Sequence, residues 1–182
     1  MSRWIALLRG INVGGASIRS ADLAALFREL GFEDVRTVLA TGNVDFTTDV
    51  DAADTTDVDA ADPAAAASLK ERIEAALGER FGYEAWIVLI PRIDLAGIVE
   101  DYPFAEDAEH HAYVVFASTA QARADLLDCA RAEDPVAGGE GVVYWRCPKG
   151  ASTTEPFAKR IAAARFRATT TTRNITTLRR LI

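Results

Sequence analysis

Cysteine, methionine and histidine are scarce in this chain of 182 residues: it has two, one and two of them. Two thiols, Cys129 and Cys147, allow one disulfide at most, so both read as reduced thiols of a cytoplasmic protein. His110 and His111 are neighbours, and neighbours on a strand face opposite sides, so they do not clamp one metal together. Glu106, Asp107 and Glu109 add oxygen donors without the spaced partner set of a zinc site. No metal is expected. No apolar run approaches the roughly 18 residues of a membrane span. The apolar stretch Ile5 to Leu8, between Arg3 and Arg9, is too short for a signal peptide. GxSxG is absent, which removes the nucleophile elbow, and no cofactor motif is present, so no cofactor is expected.

Charge is unevenly placed. The net charge of −7 comes mostly from Thr48 to Asp62, which holds six aspartates and no base. That stretch is TDVDAAD written twice with a period of eight, and without it 20 bases face 21 acids. It lacks the glycine turn and bidentate glutamate of a calcium loop. It reads as an acidic surface loop, residues 48–62, kept solvated by mutual repulsion. Lys149 to Ile182, by contrast, carries eight bases against Glu155 alone, which makes that end suited to anions.

The periodicities give an element order. Trp4 to Leu8 fits a buried strand, and Ser20 fits the cap of a helix with Leu23, Leu26, Phe27 and Leu30 on one face. Gly31 suits its left-handed stop. Strands near Val35–Leu39 and Asn43–Phe46 follow, then a helix from Pro63 burying Leu69, Ile73, Leu77 and Phe81, then a strand Glu84–Ile90. This β-α-β-β-α-β order is that of a ferredoxin-like unit. After a linking helix near Asp94–Glu100 the order repeats. It runs through a strand Ala112–Ala117, a helix capped near Ser118 or Thr119, and strands flanking Gly138-Gly-Glu-Gly141. A helix Glu155–Ala164, a strand Thr169–Thr172 and a helix from Asn174 complete it. The expected fold is α+β: two ferredoxin-like βαββαβ halves, residues 1–91 and 92–182, related by pseudo-duplication, plus a C-terminal helix.

Three segments exceed what packing demands. Leu8-Arg-Gly-Ile-Asn-Val-Gly-Gly15 leaves a strand with three glycines, and exposed N–H groups in such a turn form an anion nest. It is not a P-loop, because the lysine position holds alanine. Thr41-Gly-Asn-Val44 is a polar turn in which Asn43 either shapes the chain or faces a ligand. Thr169 to Ile182 places Arg173 and Asn174 at an expected helix N-terminus, a favourable place for anions. Interleaved aromatics are missing there, so nucleic acid is weakly supported.

These segments resemble the DUF1697 family of uncharacterised bacterial proteins. LLRGINVGG at Leu7–Gly15 is intact, and LGFEDVRTVLATGNVDF at Leu30–Phe46 is similar to the second block, with Thr41 where serine is more usual. TTRNITTLRRL resembles the closing pattern, with Ile175 and Thr176 replacing a tryptophan and an asparagine. The resemblance implies two α+β halves related by pseudo-duplication and brings no activity. Together the residues suggest a cytoplasmic protein binding a nucleotide, a nucleic-acid end or another anion through Arg9, Gly10, Asn12, Gly14, Gly15, Asn43, Arg173, Asn174 and Thr177. An enzyme using the same pocket, or a protein-contact module in which these residues only shape turns, are the alternatives. Oligomeric state stays open.

Overall fold

The computed structural model describes residues 1–11, 17–49 and 63–182. The acidic loop from residue 50 to 62 lies outside the described residues. The chain divides into two compact units, Met1–Asp94 and Leu95–Ile182.

Unit 1 consists of β1 (Ser2–Arg9), α1 (Ser20–Glu29), β2 (Glu33–Thr37), β3 (Asn43–Thr48), α2 (Pro63–Phe81) and β4 (Trp86–Pro91). The strands form one antiparallel sheet in the order β2-β3-β1-β4. Alternation sends Trp4, Ala6 and Leu8 of β1 and Val44 and Phe46 of β3 to one face. There they meet Leu23, Leu26 and Phe27 of α1 and Leu69, Ile73 and Leu77 of α2. Phe27, Phe32 and Phe46 cluster with ring centroids 4.6–5.8 Å apart. Each such side chain, fully buried, stabilises the fold by about 1.5–3 kcal/mol. Gly31 stops α1 at φ +83°. Ser20 is the first residue of α1 rather than its cap; Arg19 holds the cap position without a side-chain cap bond and pairs with Asp22 at 2.8 Å.

Unit 2 begins within α3 (Asp94–Glu100) and continues through β5 (His110–Ala117), α4 (Ala120–Asp128), β6 (Val136–Gly138) and β7 (Val142–Pro148). Then come α5 (Pro156–Ile161), a 3-10 turn at Ala164–Phe166, β8 (Thr170–Asn174) and α6 (Ile175–Leu178). Its antiparallel sheet has the order β6-β7-β5-β8, which matches unit 1 strand for strand. Val115, Val143 and Trp145 pack with Leu126 of α4, Phe157 and Ile161 of α5, and Phe166. Thr119 caps α4 by accepting from Ala122 N at 3.1 Å. On the other face Tyr144 donates its hydroxyl to Ile98 O of α3 at 2.9 Å.

The C-terminal segment departs from expectation. The β-branched run keeps pairing with β5 as far as Asn174, opposite Tyr113, so β8 outlasts Thr172. Only four residues remain helical beyond it. Among the described residues no helix is long and apolar enough to cross a membrane.

Candidate functional site

In unit 1 the first two sequence segments pack together. Leu8 N donates to Gly42 O at 2.8 Å, and Leu7 pairs with Asn43 in the ladder. Gly42 has φ +74°, and a Cβ there would stand 2.8 Å from Leu8 Cβ and from Ile11 Cδ1, so only glycine lets the turn sit this close. Arg9 and Asn43 share the sheet face opposite the helices, since Leu8 and Val44 face the helical side. Asn43 is fully buried, and its Nδ2 donates to Val38 O at 2.8 Å and to Thr41 Oγ1 at 3.0 Å. Its amide therefore braces the turn. Gly10 leaves β1 at φ +77°. Asn12, Gly14 and Gly15 lie outside the described residues.

Unit 2 holds Arg173, Asn174 and Thr177. Arg173 pairs in register with Val114, and Asn174 with Tyr113, so their side chains leave β8 on opposite faces. The strand thus sends to opposite faces two neighbours that the sequence reading placed together at a helix N-terminus. Arg173 is buried and donates Nη1 to Thr171 Oγ1 at 2.7 Å and to Thr172 O at 2.9 Å. Burial pulls its guanidinium down to about 10. The helix-terminus argument also falls away: α6 has four residues, and its free Thr176 N–H is taken by Asn174 Oδ1 at 2.8 Å. Thr177 sits half-buried on that turn.

Asn174 instead borders a cleft of about 370 Å³, with Glu106, Asp107, His110, His111, Lys149 and Thr176. The cleft lies at the start of β5, where side chains from either face reach the rim. Asn174 Nδ2 donates to His111 Nδ1 at 3.1 Å, which places the proton of a neutral His111 ring on Nε2. Asp107 Oδ1 accepts from the backbone N–H groups of Glu109 and His110, both at 2.9 Å, and sits 2.9 Å from His110 Nδ1. Arg146 Nη2 bonds Asp107 Oδ2 and stands 2.9 Å from the same His110 nitrogen. A proton on His110 Nδ1 satisfies Asp107 and leaves Arg146 to the carboxylate's other oxygen. These bonds, from His110 first and Arg146 second, hold the Asp107 carboxyl far below its ordinary value. Arg179 clasps Glu106 with both Nη groups, and this hydrogen bonding lowers the Glu106 carboxyl as well.

Both acids of the cleft are thus ionised and matched by an arginine each. Lys149, the two imidazoles, the Asn174 amide and the Thr176 hydroxyl supply the remaining polar groups. Of this set only Asn174 was a candidate from sequence. Asp107 and His110 carried a local signal, an acid three residues before a histidine that closes an Asx turn. Arg146 carried none, since the β5–β7 register alone brings it here, and Lys149 stood out only as the first base of the basic C-terminal stretch. No described group of histidine, cysteine, aspartate and glutamate has the geometry to hold a metal ion.

A family model described as "Protein of unknown function (DUF1697)" matches residues 1–144. No curated protein matches the chain. Among solved structures, the conserved bacterial protein SP0830 from Streptococcus pneumoniae is similar in fold: TM-score 0.72, 21% sequence identity, with 100% of this chain and 96% of that chain covered.

Proposed function

Because the chain belongs to the DUF1697 family, whose description assigns no activity, we propose a function from the site itself: binding of a phosphate-bearing or other anionic small molecule. The observation that carries this reading is the charge arrangement of the unit 2 cleft. Glu106 and Asp107 are each matched by a guanidinium, while Lys149 brings a further cation and His111 and Asn174 bring neutral N–H donors. A ligand carboxylate or phosphate is the complement of that surplus. Lys149 would neutralise it, and the His111–Asn174 pair would orient it.

Arg9, Gly10, Asn12, Gly14, Gly15 and Asn43 of unit 1, and Arg173 and Thr177 of unit 2, stay proposed as anion contacts within their own units, with a nucleotide as the ligand class and the cytoplasm as the location. It also reads the units as duplicated ferredoxin-like halves, which the common strand order supports. A second reading, that the conspicuous asparagines only shape turns, is favoured at one position: the Asn43 amide is committed to Val38 O and Thr41 Oγ1.

A thermal-shift titration with nucleotides, sugar phosphates and simple anions tests the proposal. A ligand at about 100 times its Kd stabilises the folded state by about 2.7 kcal/mol, several degrees for a chain of this size. The shift should shrink in Lys149→Ala and His111→Ala if the cleft is the site. Loss in Arg9→Ala or Arg173→Ala, with Lys149→Ala unaffected, moves the ligand to the unit that holds the affected arginine. No shift with any anion refutes the proposal.

A further inference from the structure

Unit 1 carries a different charged constellation, built on a buried aspartate. Asp45, in the middle of β3, has no solvent exposure. Arg3 of β1 grips both of its oxygens, Nε to Oδ1 and Nη2 to Oδ2, each at 2.8 Å. Arg36 of β2 donates Nη2 to Oδ2 at 3.3 Å, and Arg92, just past β4, brings its Nε to 3.6 Å from the same oxygen. Register explains the convergence. Asp45 pairs with Arg36 on one side and with Ile5 on the other, and Arg92 N bonds Arg3 O. The four residues, from the three strands and the end of the fourth, form one row on the face opposite the helices.

Neutralising Asp45 takes only the forked pair with Arg3. A further acid, Asp34, attracts Arg3 and lies 3.5 Å from Thr47 Oγ1. Three guanidiniums bring about fifteen N–H donors to a carboxylate with about four lone-pair sites. The side chains of Arg3, Arg36 and Arg92 stay 42%, 48% and 28% exposed. Arg36 and Arg92 have other contacts too. The buried carboxylate works as an anchor: it fixes the arginines from beneath and leaves part of each fork at the surface. Arginines held in advance lose little freedom on meeting a ligand, and their planar forks match an oxyanion.

We propose that Arg3, Arg36 and Arg92, anchored by Asp45, form an oxyanion site in unit 1 that takes a phosphate group, separate from the cleft of unit 2. The group recognised is the phosphate itself, whether inorganic phosphate or the end of a phosphomonoester.

Isothermal titration of the full chain with inorganic phosphate and with glycerol phosphate tests this. Arg36→Ala and Arg92→Ala both keep the Arg3–Asp45 fork, so the fold is preserved, and circular dichroism checks it. Each should weaken phosphate binding by about tenfold, the order of a single charge-assisted contact. Arg36→Lys should recover part of that, because it keeps the charge and loses the fork. Lys149→Ala removes the cation of the unit 2 cleft, and the phosphate binding that remains in it should be the part that Arg36→Ala and Arg92→Ala weaken. Equal affinities for the two probes identify inorganic phosphate as sufficient; tighter binding of glycerol phosphate identifies the ester. Absence of phosphate binding, or binding untouched by both arginine variants, overturns the proposal. Loss confined to Lys149→Ala assigns the anion to the unit 2 cleft instead, which supports that reading while refuting this one.

Discussion

Replacing Gly42 by alanine separates two costs that usually arrive together. At φ +74° any side chain pays the left-handed penalty, about 1–2 kcal/mol. The new methyl would also stand 2.8 Å from Leu8 Cβ and Ile11 Cδ1. Leu8 Cβ is fixed to the backbone of β1, and Ile11 Cδ1, although the end of its side chain, is packed in a residue only 2% exposed. Relieving that overlap should cost a further ~1–3 kcal/mol, the usual range for overpacking. Gly31 supplies the control. Its φ is +83°, and a Cβ there meets nothing within 4 Å, so Gly31→Ala carries the backbone penalty alone. Urea denaturation followed by circular dichroism should therefore place Gly42→Ala below Gly31→Ala by ~1–3 kcal/mol. Heating should separate the two midpoints by several degrees. Equal losses would refute the reasoning, because they would mean that the turn before β3 does not press on the end of β1.

Two further outcomes follow from the site and the thiols. Asp107 is held ionised by His110 and Arg146, so its folded value lies below the ordinary 3.8; the stability it contributes is fully present above that pH and lost as acidification passes the folded value. Carboxyl NMR should show the Asp107 midpoint rising in Arg146→Ala, and an unmoved midpoint would remove Arg146 from its causes. Cys147 is buried, and burial pushes its thiol up to about 11, whereas Cys129 is part exposed. A disulfide reagent at mildly alkaline pH should label one thiol in the native protein and the second only after unfolding; rapid labelling of Cys147 would contradict its burial.

Helices α1 and α2 were legible because Leu23, Leu26 and Phe27, and Leu69, Ile73 and Leu77, repeat at the helical period and all reach the core. The end of β8 was not. A threonine run says that a strand is favoured but not where it stops, and Asn174 is equally at home as a strand residue and a helix cap; it serves as both. Misplacing that boundary put Arg173 and Asn174 on one helix end, when strand alternation sends them to opposite faces. The charged constellations were illegible for another reason. Arg3, Arg36, Asp45 and Arg92, or Asp107, Arg146 and Lys149, are scattered along the chain, and only ladder register makes them neighbours. Local patterns report which residues are buried far better than which polar groups meet.

The two constellations differ in how readily an incoming anion could use them. Glu106 and Arg179 are 43% and 48% exposed, and ion pairs of that kind are worth about 0–1 kcal/mol. A phosphate entering the unit 2 cleft can therefore take Arg179 from Glu106 at small cost, adding a second cation to Lys149, but it leaves Glu106 repelling it nearby. At Asp45 no such exchange is open. The carboxylate is buried, and leaving it without its arginine would strand a charge away from water, a loss of about 3–5 kcal/mol. Arg3 must stay where it is, so an anion there has to be met by the exposed edges of the three forks together. The cleft thus suits an anion that displaces an acid and should lose affinity steeply with salt. The arginine row suits one that is added to an intact network, with its geometry set before the ligand arrives.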